Sequence, residues 1–543
     1  VTSISASTSA QSRKVEISGK VFDSKGEPLA GASIVEKGSM NGVFTDSNGQ
    51  FSITVNDGAI LEVSSIGFIS KEVKATANLK VTLEEDSELL SEVVVVGYGS
   101  QKRASLTGSV AVVDVQKTLD SRPIADVGRG LQGSVPGVNI RIPTGEVGSD
   151  PIINIRGQIG SISGNNSPLI LLDNVEIPSI QMVNPDDIQS ISVLKDAAAA
   201  SIYGAKAAFG VILITSKTGV GKEKLEVTYS DNFSWQNRAK PIEFGGLEAL
   251  KYTLDAHTNM GAAMPAGGFW RISPESYEKA VEWQKLYGGK VKNGDPVVYG
   301  RDWYYDGVNK YGYRVYDGAD AMIRDWAPSQ THNLSVSGTS GKTSYNIGLG
   351  YLKQSGMSRT AKHDDFTRYN SSISLTSDIN KYLSLRASSI FSDRNKRYPG
   401  MGTTTADPWL YLYRWSPLFP IGVKENGNNL REASYEIGAA NTNNLRNKYI
   451  NVNLGATVNI TKHWDVKFDY TYDHRTQEEN TSTPEFEGGQ MWYAPTEWFA
   501  EDGSRIYVNG LGEVVDAAAD GAMPGYCFPV QKYFSNATAT DIK

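Results

Sequence analysis

Trp464, Val466, Phe468, Tyr470 and Tyr472 alternate with Asp465, Lys467, Asp469 and Thr471. A side-chain period of two gives an extended strand one apolar and one polar face. The same alternation runs through Leu225, Val227, Tyr229, Phe233 and Trp235 (with Asp231 interrupting), through Tyr345, Ile347, Leu349 and Tyr351, and through Ile450, Val452, Leu454, Ala456, Val458 and Ile460. In a soluble sandwich the apolar face looks into the core, and in a membrane barrel it looks at lipid, with aromatics at the interfaces. Connection lengths decide between these. Tight turns at Ser340 to Lys342, Asn380-Lys381 and Thr461 to His463 alternate with long loops at Asn237 to Gln330, Lys396 to Lys448 and Thr476 to about Pro529. Short turns at one end and long loops at the other mark an outer-membrane barrel.

A barrel wide enough to hold an internal domain needs about 22 strands. The chain supplies seven clear ones and the start of an eighth near Tyr533. An open edge in lipid would leave backbone groups unpaired, each costing several kcal/mol. The natural protein is therefore expected to continue well past Lys543, and this chain to hold only the first strands of the barrel.

Several function classes are disfavoured by composition. The 543 residues carry a net charge of -7 with both signs spread along the chain, so there is no electrostatic footprint for nucleic acid. Five scattered histidines and the single Cys527 form no cluster at metal-ligand spacing, and no nucleophile, base and oxyanion constellation stands out. No enzyme, cofactor or metal is expected. Thr8-Ser9-Ala10 before Gln11 reads as the small-residue end of a secretory signal, which implies export.

From Val15 to Glu84 short apolar runs are separated by turn clusters, the clearest at Asp23 to Gly26 and Asp46 to Gly49, so a small β-sandwich is expected over 15–85. Residues 1–14 read as a tail. At Glu92-Val93-Val94-Val95-Val96-Gly97 four β-branched residues favour an extended backbone, and neither flank offers an obvious partner strand. Such a segment on a flexible lead can add itself to the sheet edge of another protein. The segment 101–222 reads as mixed α/β. Gly128 to Gly133 fits G-x-G-x-x-G by letter, but a strand follows it where a dinucleotide loop needs a helix. Gly338 to Thr343 imitates a phosphate loop with too few residues between its glycines, and is read as a hairpin turn.

Ile17-Ser18-Gly19-Lys20-Val21 followed by Gly26-Glu27-Pro28-Leu29-Ala30-Gly31-Ala32 resembles the carboxypeptidase-regulatory-like domain found ahead of some transporters. Leu131-Gln132-Gly133-Ser134-Val135-Pro136-Gly137-Val138, Ile153-Asn154-Ile155-Arg156-Gly157, Pro168 to Asp173 and Val193 to Thr215, taken with the valine run, resemble the TonB box and plug of SusC-like TonB-dependent outer-membrane transporters. Asn174 and Phe209 depart from that pattern, where the family usually has Gly and Asn, and make two loops less permissive.

The resemblance implies a mainly β protein: sandwich at 15–85, TonB box and linker at 86–100, plug at 101–222, and at 223–543 the first part of a transmembrane barrel. It implies active import of oligosaccharides or oligopeptides across the outer membrane of a Bacteroidetes-type bacterium, with the N-terminal domains in the periplasm. The implied partners are TonB, a SusD-like lipoprotein lid, the ligand and outer-membrane lipid, in a dimer of such pairs. Glu92, Val93, Val94, Val95, Val96 and Gly97 would pair with TonB. Arg156 would lock the plug against an acidic barrel residue. Trp270, Trp303, Tyr304 and Tyr305, in an aromatic-rich first loop, would contact ligand or lid, or pack the loop against its own barrel. The alternatives are a siderophore or cobalamin receptor without a lid, a passive porin or adhesin, and an enzyme with an accessory sandwich, which would need a zinc site.

Overall fold

The computed structural model describes residues 14–542 except 24–25, 40, 66–67, 69, 84–92, 97–98, 103–109, 114, 116–125, 143–145, 156–166, 197–199, 221–223, 239–241, 262–269, 401–414, 462–463, 483–484 and 534–537. The chain divides into two compact units, Val1–Val112 with Ser192–Gly210, and Val113–Ile191 with Val211–Lys543.

In the first unit, strand Lys14–Phe22 lies between Gln50–Asn56, antiparallel to it, and Leu79–Thr82, parallel to it. A second sheet has the order Gly42–Phe44, Ser33–Glu36, Ile60–Ser64, Lys71–Lys74. Alternation places Phe51, Ile53 and Val55 inside, where they join Val21, Ile34, Leu61, Val63 and Leu83 in one core. The turn at Asp46 forms as its sequence dictates: Asp46 Oδ1 accepts from the amides of Asn48 and Gln50, and Gly49 takes φ 70°. The expected small sandwich is therefore present.

The valine run departs from expectation. Val93–Val96 pairs antiparallel with Gly99–Lys102, Val94 opposite Gln101, so a flank does supply a partner strand. A two-residue separation with Gly at its first position is a spacing that hairpins favour, which an apolarity-based reading of the polar flank passes over.

The second unit begins with a small α/β domain. Asp126 caps the short helix Val127–Leu131 by accepting from the Arg129 amide and pairs with the Arg129 guanidinium at 2.8 Å. A Cβ at Gly128 would lie 2.5 Å from Pro151 Cγ, so this glycine serves close packing, and strand Val138–Arg141 follows as expected. Leu169–Leu172 runs parallel to Val211–Ser216 and turns back into Val175–Glu176. Asp173 and Asn174 make that turn at φ 47° and 69°. Asn and Asp are the non-glycine residues that tolerate this region best, and Asp173 is held there by the Ser216 amide and hydroxyl, so the turn survives the missing glycine.

Eight strands then form one antiparallel sheet in chain order: β1 Glu226–Gln236, β2 Ala327–Ser340, β3 Thr343–Ser355, β4 Asp365–Asn380, β5 Leu383–Gly400, β6 Asn441–Thr461, β7 Trp464–Ser482 and β8 Thr538–Ile542. The connections alternate as expected, with two residues each at 341–342, 381–382 and 462–463, and longer segments at 237–326, 356–364, 401–440 and 483–537. The eighth strand is corrected: Val530–Tyr533 pairs with Phe486–Gly489 in the loops, and the sheet resumes only at Thr538. Both segments are only four or five residues long, Val-Gln-Lys-Tyr and Thr-Ala-Thr-Asp-Ile, and neither carries an alternation that would mark it as the sheet strand.

Register makes the two faces of the sheet explicit. Tyr229, Leu334, Leu349, Ser371, Phe391 and Ile450 lie in one row across β1 to β6, and Val227, Val336, Ile347, Ile373, Ser389, Val452 and Tyr472 in the next. Tyr229, Leu349, Ile373, Leu454, Phe468, Tyr470 and Tyr472 are all more than 40% exposed, so among the described residues this face is a belt of apolar side chains with no protein against it. Towards the long loops it ends in ion pairs, Asp393 with Arg446 and Asp365 with Arg397. The intervening positions, Asn333, Gly350, Asn370 and Ser392 among them, form a polar inner face.

Candidate functional site

The α/β domain meets the inner face of the sheet through the segment Ser179 to Asp187, two short 3-10 turns with Gln181, Asn184 and Asp187 all buried. Turns of this kind leave backbone carbonyls without intrasegment partners, and β4 supplies donors to two such carbonyls and to one carboxylate at successive inward positions. Arg368 Nη1 donates to Gln181 O at 3.1 Å, Asn370 Nδ2 to Met182 O at 2.7 Å, and Ser372 Oγ to Asp187 Oδ2 at 2.8 Å. The period-two geometry of one strand thus matches donors to a segment distant in sequence.

Neighbouring strands extend the seam. Arg394, opposite Arg368 in register, donates from Nη1 to Ser179 Oγ at 3.2 Å and reaches Asp150 Oδ1 at 3.4 Å. Lys396 Nζ pairs with Glu146 Oε2 at 2.6 Å. Asn184 Nδ2 donates to Asn333 Oδ1 at 3.0 Å on β2, and Ser230 Oγ on β1 to Asp186 Oδ2 at 2.7 Å. The glycines of β3 set how closely the two parts approach. A Cβ at Gly350 would lie 2.7 Å from Asn184 Nδ2, and one at Gly348 would run into the Asp187 carboxylate. An apolar patch of Val147, Leu352 and Phe366 closes one side, and Gly148 beside it, at φ 71°, leaves the room for the Phe366 ring that a side chain would fill.

Electrostatically the seam is asymmetric. The sheet contributes the cations and the inner domain contributes carbonyl and carboxylate oxygens. Arg368 and Arg394 are 3% and 6% exposed, and each keeps an Nε with no hydrogen-bond partner among the described residues. Two adjacent buried guanidiniums with partial satisfaction make a contact that is specific yet only marginally favourable. Burial pushes the Asp187 carboxyl up to about 6, against the opposing effect of the Ser372 hydrogen bond. Sequence reading missed all of these residues. Their signal is Phe366-Thr367-Arg368-Tyr369-Asn370-Ser371-Ser372, in which the alternate positions are polar and chemically specific.

The residues singled out from sequence are placed unevenly. Glu92 and Gly97 lie outside the described residues, and Val93–Val96 form the hairpin strand given above. Arg156 also lies outside them. Among the described residues the cationic side of the seam is on the sheet, the reverse of the polarity expected for a plug arginine.

The four loop aromatics belong to a packed assembly of the long loops. Trp270, Val297, Tyr299, Trp303, Ile421, Leu430, Met491, Val508 and Phe528 share one core drawn from three loops. Trp303 stacks on Phe528 at 4.2 Å, Trp270 Nε1 donates to Met491 O at 3.1 Å, and both tryptophans are at most 3% exposed. Their rings present no face to a ligand, because an indole of that size at the centre of three loops is what gives the loops a core. Tyr304 and Tyr305 sit half-buried at its margin. Lys310 Nζ donates to the carbonyls of Met491 and Tyr493, and Lys424 Nζ to Phe528 O at 3.0 Å, so two buried ammoniums strap loop to loop. Beside the core lies a cavity of about 810 Å³ lined by Tyr304 and three further tyrosines.

Comparison with known proteins adds independent information. Residues 17–95 match the family described as CarboxypepD_reg-like domain, and residues 102–211 match the TonB-dependent Receptor Plug Domain. The chain is 29% identical over 412 residues to the TonB-dependent receptor SusC of Bacteroides thetaiotaomicron, which covers 74% of this chain and 36% of that protein. It is 31% identical over 372 residues to the TonB-dependent receptor P39 of Formosa agariphila, covering 68% of this chain and 31% of that one. Among solved structures, the RagAB peptide importer in its open-open state shares the fold at TM-score 0.53 and 24% identity, over 73% of this chain and 45% of that one. The chain thus spans about a third of the length of these curated relatives.

Proposed function

From the premise that the chain belongs to the SusC-like TonB-dependent receptors, we propose that the protein imports oligosaccharides or oligopeptides across the outer membrane, driven by a pull from TonB. The observation that carries this reading is the pair of opposed sheet faces: an exposed apolar belt suited to lipid, and a polar inner face bonded to the plug through Arg368, Asn370, Ser372 and Arg394. A plug held by a few buried polar contacts closes a pore at rest and can be dislodged by directed force. A plug held by an apolar core of similar area could not be released as readily, since apolar contacts carry no geometric key.

The force enters at Glu92 to Gly97. A strand of TonB adds to the valine run by main-chain hydrogen bonding, which gives strength almost independently of side chains. Arg156 remains a proposed second plug lock. A SusD-like lipoprotein caps the extracellular loops and delivers ligand, the assembly is a dimer of such pairs, and the sandwich and plug face the periplasm of a Bacteroidetes-type cell. RagAB is described as a peptide importer, and this supports peptide as one of the two cargo classes. The relatives are receptors, and no catalytic step is assigned.

The decisive experiment deletes residues 92–97. Uptake of the cognate ligand should stop while ligand binding and barrel assembly persist. Uptake that survives the deletion would establish a passive porin or an adhesin instead. A receptor without a lid would bind ligand at full affinity in the absence of any lipoprotein partner.

A further inference from the structure

Val93–Val96 and Gly99–Lys102 form a two-stranded sheet that no third strand joins among the described residues. The register pairs Val96 with Gly99 across a two-residue connection, then Val95 with Ser100, Val94 with Gln101 and Val93 with Lys102. In an antiparallel ladder the pair that closes such a connection exchanges both main-chain hydrogen bonds, and bonded and non-bonded pairs alternate from there. The amides and carbonyls of Val94 and Val96 are therefore engaged inside the hairpin. Those of Val93 and Val95 point out of one edge, and those of Ser100 and Lys102 out of the other.

The hairpin lies at the junction of the two matched domains, residues 17–95 and 102–211, and a pull applied to the valine run reaches the plug through it. Its edges are not equivalent. Four β-branched residues hold an extended backbone with little freedom to lose, whereas Gly99 and Lys102 are weak strand formers and a lysine on an edge discourages further pairing. An isolated two-stranded ribbon is marginal in water, and a third strand stabilises it. A partner strand that docks on the Val93 and Val95 edge meets main-chain groups already held extended, and it breaks no hairpin bond to reach them. One that used Val94 and Val96 would first have to open the hairpin.

We propose that the hairpin as a whole is the docking platform: the TonB strand joins the outer edge of the valine strand at Val93 and Val95, and Gly99–Lys102 stays paired behind it in a three-stranded sheet. The inference rests on the import reading above, and it adds a closed hairpin where that reading needs only an extended segment.

The test measures binding of the purified periplasmic domain of TonB to the full protein in detergent, in a Cys527→Ser background that leaves no native thiol. Val93→Cys combined with Lys102→Cys puts thiols at a non-hydrogen-bonded pair, where Cα atoms about 4.5 Å apart are within disulfide reach. Oxidation locks the hairpin shut, and the oxidised and reduced forms should bind TonB equally. Val95→Pro removes a donor from the outer edge, spares the hairpin's own bonds, and should weaken binding about tenfold. Ser100→Pro makes the same change on the opposite edge and should leave binding unaltered. Residue-resolved hydrogen exchange should slow at Val95 on binding, with Gln101 still protected. The platform is overturned if oxidation abolishes binding and reductant restores it, if Ser100→Pro weakens binding as much as Val95→Pro does, or if Gln101 loses protection in the complex. Each of those results keeps TonB as the partner. If the unmodified protein does not bind TonB and uptake survives deletion of residues 92–97, the TonB reading falls and the platform falls with it.

Discussion

Arg368 is the residue on which the plug seam turns, because its donor reaches a carbonyl that no other described group satisfies from the sheet side. Arg368→Leu leaves Gln181 O buried and unpaired, a loss of about 1 to 3 kcal/mol in seating the plug. Faster hydrogen exchange across 179–188 and greater antibiotic permeability of cells should follow, with Arg368→Lys intermediate. Asp187 adds a pH dependence of defined sign. Its folded value near 6 lies above the ordinary 3.8, so between those values the seated plug holds a proton that the released one does not. Seating therefore strengthens as pH falls through that window and weakens as it rises. Exchange protection at 184–188 should increase from pH 7 to pH 4 and lose that dependence in Asp187→Asn. At Gly348 any side chain enters the space of the Asp187 carboxylate, so Gly348→Val should reproduce the loosening of Arg368→Leu with every polar group still present.

Among the elements, the long strands were the most legible, since an alternating pattern sustained over ten or more residues admits one backbone and two faces. β7 shows the use of this. Phe468 faces outward at 62% exposure, while Lys467 and Asp469 flank it on the other face. An arginine at position 468 should cost about 2 to 4 kcal/mol of barrel stability in lipid vesicles, and Lys467→Ser almost nothing. Denaturant titration after vesicle insertion measures both. Short segments were less legible. The valine run was read without a partner, although Gly99–Lys102 pairs with it, and the eighth strand was set at Tyr533 instead of Thr538. Four-residue pairings carry too little pattern to choose between a local hairpin, a loop ribbon and a sheet strand.

For the whole second unit, residues from three long loops share a core, and this ties the loops to one another. Lys310→Met or Lys424→Met cuts one of the two straps between loops. Limited proteolysis within 490–530 should become several times faster, with cleavage elsewhere unchanged. Sequence alone determined the two-faced strands and the short-turn and long-loop ends, because periodicity and turn chemistry are written in consecutive residues, and its resemblance to a family gave the order of sandwich, plug and sheet. Tertiary structure alone decided that Arg368 meets Gln181, that Trp270 and Trp303 are core, and that four tyrosines line one cavity. Each of these joins positions brought together by strand register and loop packing, and a linear pattern carries no record of which distant donor will face which acceptor.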